Sequence, residues 1–168
     1  EGTYPLPEAQ QDRFMLSVAM NYLGEDDEVQ VVRQSTSLSR VELKQVIEGD
    51  ELLQFQQAVR RVTLPAELGR YIVDLVAASR PTVAGCPDFV REYIAWGAGL
   101  RASQNMALAA KSAAAQDGRD TVTADDIRKA IVPVLRHRIG LSFRAEVERV
   151  TVEDVIRKLV ESVSEPAV

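Results

Sequence analysis

An arginine lies in the first turn of a predicted helix, directly after two glycines, in the stretch WGAGLRA at residues 96–102. Helix starts usually carry acidic residues, because the free N–H groups and the helix dipole make that end positive. Arg101 gains nothing from the dipole, but together with a glycine-led helix N-terminus it would suit an anion. The alternative is a loose turn followed by a solvated arginine, and spacing alone favours this alternative.

Residue types that support other chemistry are scarce. His137 is the sole histidine and Cys86 the sole cysteine, which leaves no zinc-binding spacing and no pattern for a histidine-activated nucleophile. We expect a neutral, partly buried His137 at a helix end and an inert Cys86 thiol. Residues 97–102 formally match the dinucleotide fingerprint G-x-G-x-x-A, but that motif must follow a strand, and the preceding segment is predicted to be helical. An independently acting enzyme is therefore not expected.

The composition is that of a globular domain, with 168 residues, 46% of them hydrophobic and 27% charged, and a formal net charge of -5. This acidic balance disfavours broad contact with a nucleic-acid backbone, which would need a basic face, so no nucleic-acid partner is expected. The sequence has no run of 18 apolar residues, so no membrane span is expected. A single cysteine excludes an internal disulfide and fits a reducing compartment.

Apolar periodicity predicts a mainly α fold, a bundle of about six helices that positions the glycine–arginine turn. One apolar stripe at helical spacing runs over residues 68–76, and a short helix over residues 89–96 leads into the turn. Small side chains on one face of the helix from Arg101 to about Gln116 predict close packing at the centre of the bundle. Asp117-Gly118 should end this helix, because glycine readily takes the left-handed conformation there.

Two capping boxes predict the starts of the last two helices, Thr123 with Asp126 and Thr151 with Asp154. The segment between these helices, residues 138–150, is predicted to hold a short hairpin or an extended connection. Four acids at residues 25–28 favour another helix start, whereas residues 38–46 are compatible with either a strand or a helix.

Residues 1–24 are predicted to form a loop, a short helix that starts at Pro7 and a strand over Met15–Ala19. A single short strand is not stable alone, so we expect it to pair with a sheet outside the given sequence. Glu1 is not methionine, and we interpret the chain as a fragment of a longer protein. Residues 1–24 would then be a piece of one domain, and residues 25–168 would form another.

Residues 1–14, EGTYPLPEAQQDRF, closely resemble the stretch that follows sensor 1 in the MoxR family of AAA+ ATPases, which typically reads EGTYPLPEAQLDRF. Gln11 replaces the usual leucine. The glycine–arginine turn resembles the sensor 2 motif of the same family, usually GASPRA or GAGPRA, with Leu100 in place of the proline. Residues 118–127 and 134–139 also resemble the closing part of the family, so the resemblance covers essentially the whole chain.

The resemblance implies that residues 1–24 are the last piece of the αβα nucleotide-binding core, a short helix and strand, and that residues 25–168 are the helical AAA+ lid domain. Walker A, Walker B and sensor 1 would lie upstream. Arg13 would be the arginine finger, a catalytic residue that enters the site of the neighbouring subunit. Arg101 would be the sensor 2 residue, which reaches the γ-phosphate of ATP bound to its own subunit. Arginine suits both roles because its planar fork can hold two phosphate oxygens.

The implied protein is a homo-oligomeric ring, a hexamer, that hydrolyses ATP with Mg²⁺ in the cytoplasm and drives chaperone-like remodelling or maturation of a partner. A partner with a von Willebrand factor A domain is expected from the resemblance alone. The fragment itself is expected neither to hydrolyse ATP nor to bind it tightly, because Arg101 would be its only local phosphate ligand. The alternative is a non-catalytic helical protein-interaction module, which the absence of a P-loop upstream of Glu1 would indicate.

Overall fold

The computed structural model describes residue 4, residues 6–37 and residues 42–166 of the chain. Within these residues the backbone forms nine helices and one two-stranded sheet. The helices are α1 (Glu8–Gln11), α2 (Glu25–Ser35), α3 (Gly49–Arg61), α4 (Ala66–Ala78), α5 (Asp88–Tyr93), α6 (Leu100–Gln116), α7 (Ala124–Leu135), α8 (Phe143–Val147) and α9 (Val152–Ser162), and the strands are β1 (Ile94–Trp96) and β2 (Gly140–Leu141). Residues 1–3 and 5 of the N-terminal resemblance lie outside the described residues.

The hydrophobic core lies between α4, α6, α7 and α9, with α6 at its centre. α6 packs against α3, α4 and α7. Three of the side chains on its buried face are alanines, which let the neighbouring helices approach closely, as the small-residue pattern predicted. The predicted stripe of α4 is also buried. The buried side chains of these two helices include Leu68, Tyr71, Ile72, Leu75, Val76, Ala102, Met106, Ala110 and Ala114.

The predicted helix ends between α6 and α9 are confirmed. Thr123 and Asp126 form a capping box at the start of α7, and Thr151 and Asp154 form one at the start of α9. At the C-terminus of α6, Gly118 has a φ of 72°, the left-handed conformation that glycine adopts without steric cost. α6 and α7 are therefore joined by a short connection whose two ends are fixed by Gly118 and by the capping box of Thr123.

The helix predicted over residues 89–96 is wrong in its last turn. α5 ends at Tyr93, and the chain continues as β1, which pairs antiparallel with β2 and places Trp96 opposite Gly140. A Cβ at Gly140 would lie 2.1 Å from the Trp96 ring, so only glycine permits this close pairing. The partner strand lies far along the sequence, and local periodicity could not reveal it. Residues 138–150, predicted as a short hairpin or an extended connection, contain β2 but also the short helix α8, which was not predicted.

A strand therefore does precede residues 97–102, contrary to the reason given above for excluding the dinucleotide fingerprint. β1 and β2 are antiparallel and together make up a two-stranded sheet in the described residues. The fingerprint requires a parallel βαβ unit, so the topology of this sheet excludes it instead.

The predicted strand over Met15–Ala19 does not form, because residues 16–24 have no regular secondary structure. α1 is followed by a turn, and the segment then lies against α7, where the Ser17 N–H donates to the Pro133 carbonyl at 2.8 Å. A strand needs a partner, and none lies beside this segment in the described part of the chain. The domain boundary at residue 24 stays a prediction.

Helices α2 and α3 contribute little to the core. α2 begins with four acids, as predicted, and has no buried residue; α3 packs on α6, but none of its own residues is buried. Residues 42–46 have no regular structure, and residues 38–41 of the ambiguous stretch lie outside the described residues. Among the helices that the structure describes, none is both long enough and apolar enough to cross a membrane.

Candidate functional site

The turn between β1 and α6 is fixed against the end of α4. The Ala98 N–H donates to the Ser79 hydroxyl at 3.0 Å, and the Nε of Arg80 donates to the Ala98 carbonyl at 2.9 Å. A Cβ at Gly97 would lie 2.2 Å from the Ser79 carbonyl oxygen, a distance that no side-chain carbon tolerates. Glycine is therefore required at residue 97. The backbone of the turn that leads into α6 is held in one place against the end of α4.

This turn directs Arg101 toward the N-terminal segment. α6 begins at Leu100, and the Nη1 of Arg101 donates to the Oδ2 of Asp12 at 2.9 Å. The Arg101 side chain is 48% exposed and that of Asp12 is 32% exposed. The glycine–arginine turn and the N-terminal segment, 89 residues apart in sequence, therefore meet at Asp12, next to the predicted arginine finger Arg13.

Asp12 is shared with a second arginine that the sequence analysis did not single out. The Nε of Arg138 donates to the Oδ1 of Asp12 at 2.8 Å, and the Arg138 side chain is only 1% exposed. Its Nη2 donates to the carbonyls of Asp12, at 2.9 Å, and of Phe14. Its Nη1 donates to the carbonyls of Met15, at 3.2 Å, and of Val134, at 2.5 Å. One buried guanidinium thus holds the backbone on both sides of residue 13.

His137 adds a further contact to the same segment. Its Nε2 lies 3.1 Å from the carbonyl oxygen of Phe14, so the ring donates from Nε2. Burial lowers the pKa of His137 below its ordinary value of 6.5, although the contact with the Phe14 carbonyl opposes this effect. The Nδ1 atom is buried and has no partner in the described residues. These observations agree with a neutral, partly buried histidine just after the end of α7.

Arg13 lies in the turn after α1, and its side chain is exposed. Within the described residues it forms no ion pair, and the carboxylate of Asp12 pairs with Arg101 and Arg138 instead. The two predicted site residues therefore differ in their surroundings. Arg101 is held by Asp12, whereas Arg13 extends into solvent from a backbone that other residues hold in place.

A pocket of about 200 Å³ lies between α1, the glycine turn and the end of α7. It is adjacent to the Arg101–Asp12 pair and is lined by Glu8, Ala9, Asp12, Trp96, Gly97, Gly99, His137 and Arg138. The half-exposed cation beside it suits a phosphate group, because a guanidinium binds phosphate oxygens through charge-assisted hydrogen bonds. No cluster of three or more potential metal ligands occurs in the described residues, so no Mg²⁺ ligand is assigned to them.

Sequence reasoning missed Arg138 and the role of Asp12. The available signal was the run RHR at residues 136–138, which places two arginines and the only histidine immediately after an apolar helix. Its partner segment lies more than 120 residues earlier, so the signal could mark residues 136–138 as unusual but could not identify what they contact.

Comparisons with known proteins agree with this architecture. Residues 88–159 match the AAA lid domain family. The chain is 34% identical to the chaperone MoxR1 of Mycobacterium tuberculosis over 169 aligned residues, which cover 100% of this chain and 44% of that protein. It is 31% identical to the protein MoxR of Paracoccus denitrificans over 155 residues, which cover 84% of this chain and 45% of that protein.

The fold is also similar to that of a solved structure. The crystal structure of a proposed ATPase from Cytophaga hutchinsonii matches with a TM-score of 0.90 and 34% sequence identity, covering 99% of this chain and 51% of that one. The chain therefore spans about half the length of the relatives that it matches.

Proposed function

Because this chain belongs to the MoxR family of AAA+ ATPases and contains an AAA lid domain, we propose that it senses ATP rather than cleaving it unaided. Arg101 acts as the sensor 2 residue and binds the γ-phosphate in the site of its own subunit. Arg13 acts as the arginine finger in the site of the neighbouring subunit. The observation that carries this proposal is the bond from Arg101 to Asp12, the residue next to Arg13.

The Arg101–Asp12 pair is suited to exchange. Exposed or half-exposed ion pairs of this kind typically contribute only about 0–1 kcal/mol to stability. A γ-phosphate carries more charge than a carboxylate, and its oxygens can accept both arms of the guanidinium fork. Exchanging Asp12 for a phosphate therefore costs Arg101 little free energy. The glycine turn fixes the start of α6, which carries the Arg101 side chain.

The catalytic contribution of the chain is the placement of charge. ATP supplies the transferable phosphoryl group, and Mg²⁺ neutralises part of its charge. We assign the P-loop and the Mg²⁺ ligands to an upstream part of the full-length protein. An arginine finger is typically worth about 10³–10⁵ in rate, which corresponds to about 4–7 kcal/mol of barrier. Arg13 supplies that contribution, and the isolated chain is expected not to bind ATP tightly.

The wider role follows from family membership. We propose that the full-length protein forms a homo-oligomeric ring, a hexamer, which uses ATP turnover for chaperone-like remodelling or maturation of a partner protein. The similarity to a protein named as a chaperone supports this proposal. A partner with a von Willebrand factor A domain and a cytoplasmic location belong to the same proposal and are supported by the family resemblance.

The site assignment is tested by ATP hydrolysis in the full-length protein. Arg13→Ala and Arg101→Ala should each reduce turnover steeply, whereas Arg128→Ala should not. Arg128 is the matched control because it also pairs with carboxylates, Asp125 and Glu165, but lies in the first half of α7. Near-wild-type turnover in both variants would contradict the assignment.

A mixing experiment separates the two roles. If Arg13 acts on the neighbouring site and Arg101 on its own site, subunits carrying Arg13→Ala and subunits carrying Arg101→Ala complement each other. An intact site then forms wherever an Arg13→Ala subunit receives the finger of an Arg101→Ala neighbour. Recovered hydrolysis on mixing supports the assignment, and a mixture as inactive as its components contradicts the action of Arg13 in a neighbouring site.

The exposed apolar surface of α2 and α3 favours a second candidate, a helical protein-interaction module without ATPase coupling. This surface includes Val29, Val31, Val32, Leu52, Leu53 and Phe55. The upstream sequence discriminates between the two candidates, because a module of this kind would lack a P-loop there.

A further inference from the structure

We propose that Arg138 is a positioning residue for Arg13, and that it fixes the arginine-finger segment to the end of α7. The proposal rests on the proposed function of Arg13 and extends it to a buried residue that acts through the backbone around Arg13. It also makes the lid, rather than the N-terminal segment alone, responsible for the direction in which the finger points.

The hydrogen bonds of Arg138 are directed at the residues on either side of Arg13. Its guanidinium donates to the side chain and carbonyl of Asp12, at 2.8 and 2.9 Å, and to the carbonyl of Phe14. The Asp12 carbonyl belongs to the peptide group that precedes Arg13, and the Phe14 carbonyl belongs to the peptide group after residue 14, so the backbone is restrained at both ends of the segment that contains Arg13. Because Arg13 itself is exposed and makes no ion pair in the described residues, its starting direction is set mainly by this backbone.

Arginine is the residue type that this arrangement requires. The guanidinium carries five N–H donors in a rigid plane and no acceptor, so a single side chain can serve several fixed oxygens at once. Arg138 serves Asp12, Phe14, Met15 and Val134. A lysine keeps the charge but offers a single mobile nitrogen, which cannot hold the same set of acceptors.

Burial makes the attachment persistent. The Arg138 side chain is 1% exposed, and a buried cation that loses its acceptors is strongly unfavourable. Two neighbouring contacts reinforce the attachment. They are the Nε2 contact of His137 with the Phe14 carbonyl and the bond from the Ser17 N–H to the Pro133 carbonyl. The finger segment therefore remains on the end of α7 when Arg101 exchanges Asp12 for another anion.

This attachment links two sites. Arg101 and Arg138 hold opposite oxygens of the Asp12 carboxylate, so the residue that senses the subunit's own nucleotide and the residue that orients the finger share one partner. A lid movement that follows phosphate release would carry the segment around Arg13 with it. Catalytic geometry is sensitive to such movement, because a misplacement of about 1 Å can cost about 100-fold in rate.

The test is a double-mutant cycle of ATP hydrolysis in the full-length protein, with Arg13→Ala, Arg138→Lys and the combination. Arg138→Lys should lower kcat by about 10- to 100-fold with a much smaller change in the KM for ATP. The double variant should be no slower than Arg13→Ala alone, because a misplaced finger matters only when a finger is present. Arg128→Lys, the same exchange at an arginine within α7, should leave kcat unchanged.

Structural loosening is measured separately by hydrogen exchange. Arg138→Lys should accelerate exchange of the Ser17 amide, which Pro133 protects, without accelerating exchange of the α6 amides. If Arg138→Lys does not fold, His137→Phe takes its place in both measurements, because it removes the neighbouring contact with the Phe14 carbonyl and leaves the Arg101–Asp12 pair in place. Smaller changes in the same directions are then expected.

Unchanged kcat, a change confined to KM, or an additive loss in the double variant would overturn the proposal. If Arg13→Ala itself leaves hydrolysis intact, the proposed function fails instead. A normal effect of Arg13→Ala together with a silent Arg138→Lys rejects only the positioning role.

Discussion

Two arginine–carboxylate clusters lie at opposite ends of α6, and they differ in how completely the carboxylate is used. Beyond the C-terminal end, Asp126 is fully buried and accepts both arms of Arg119, at 2.6 and 2.8 Å. It also accepts the N–H and the hydroxyl of Thr123, at 2.8 and 3.0 Å. This carboxylate is saturated by residues within seven positions in the sequence.

At the N-terminal end, Asp12 is partly exposed and is divided between two arginines. Arg138 is buried and bound to several oxygens, whereas Arg101 is half exposed and bound by a single contact. The first cluster fixes a turn permanently, and the second combines one permanent bond with one exchangeable bond. The comparison teaches that the same pair of residue types fixes a turn when all its groups are bound, and leaves guanidinium donors available to another anion when they are not.

The Asp12 cluster at the N-terminal end of α6 needs a rigid backbone, and we expect a substitution at Gly97 to disturb that backbone most. Gly97→Ala places a Cβ 2.2 Å from the Ser79 carbonyl oxygen, so the turn must move away from α4. We expect a loss of about 4 kcal/mol of unfolding free energy, at the upper end for single substitutions. Urea denaturation of the chain measures it.

Gly99→Ala is the matched control, since a Cβ there meets nothing within 4 Å. Alanine is a poorer N-cap than glycine, so a cost within about 1 kcal/mol is expected. Equal costs for the two substitutions would show that the turn yields to the added carbon.

The saturated cluster is broken by Arg119→Ala. This change leaves the buried Asp126 carboxylate without its cation, so the unfolding free energy should fall by more than the loss of an exposed ion pair would cause. The same denaturation experiment measures it. Asp117→Asn, which removes only the exposed partner of Arg119, should have little effect. If Arg119→Ala lowers the unfolding free energy by less than the loss of an exposed ion pair would, the buried Asp126 carboxylate does not need Arg119 for its stability.

The same cluster predicts an acid-sensitive stability. The hydrogen bonds from Arg119 lower the pKa of Asp126 from 3.8 to about 2, and those from Thr123 add to the effect. Because the folded pKa lies below the unfolded one, the stability from Asp126 is fully present above about pH 4 and is lost as the pH falls toward about 2. Asp126→Asn should flatten the stability profile in this window. An unchanged slope would contradict the assignment.

The smallest effect is expected at Arg101. Arg101→Ala removes one half-exposed ion pair, so the unfolding free energy should fall by less than about 1 kcal/mol, and the difference should vanish at about 1 M salt. A loss as large as that of Arg119→Ala would show that Arg101 is a structural residue and that the two clusters are alike.

The elements that the sequence predicted correctly are those with local causes. The capping boxes of Thr123 and Thr151 and the glycine at residue 118 each act within a few residues, and all three form as expected. The buried stripe over residues 68–76 was also predicted correctly, because an amphipathic helix repeats its apolar positions within a short window.

The errors have non-local causes. β1 depends on a partner at Gly140, and the predicted strand at residues 15–19 depends on a partner that the described residues do not contain. The candidate site divides in the same way. Arg101 could be suspected from its helix position, whereas Arg138 obtains its role from a segment at the other end of the chain.

The pairing of β1 with β2 has a further use. Trp96, the only tryptophan of the chain, is held against Gly140 and forms a wall of the pocket that Asp12 also lines. Its ring is partly open to solvent, and indole emission responds to the polarity of its surroundings. The chain thus carries an intrinsic fluorophore beside the Arg101–Asp12 pair, and its emission gives a label-free optical signal for any rearrangement there.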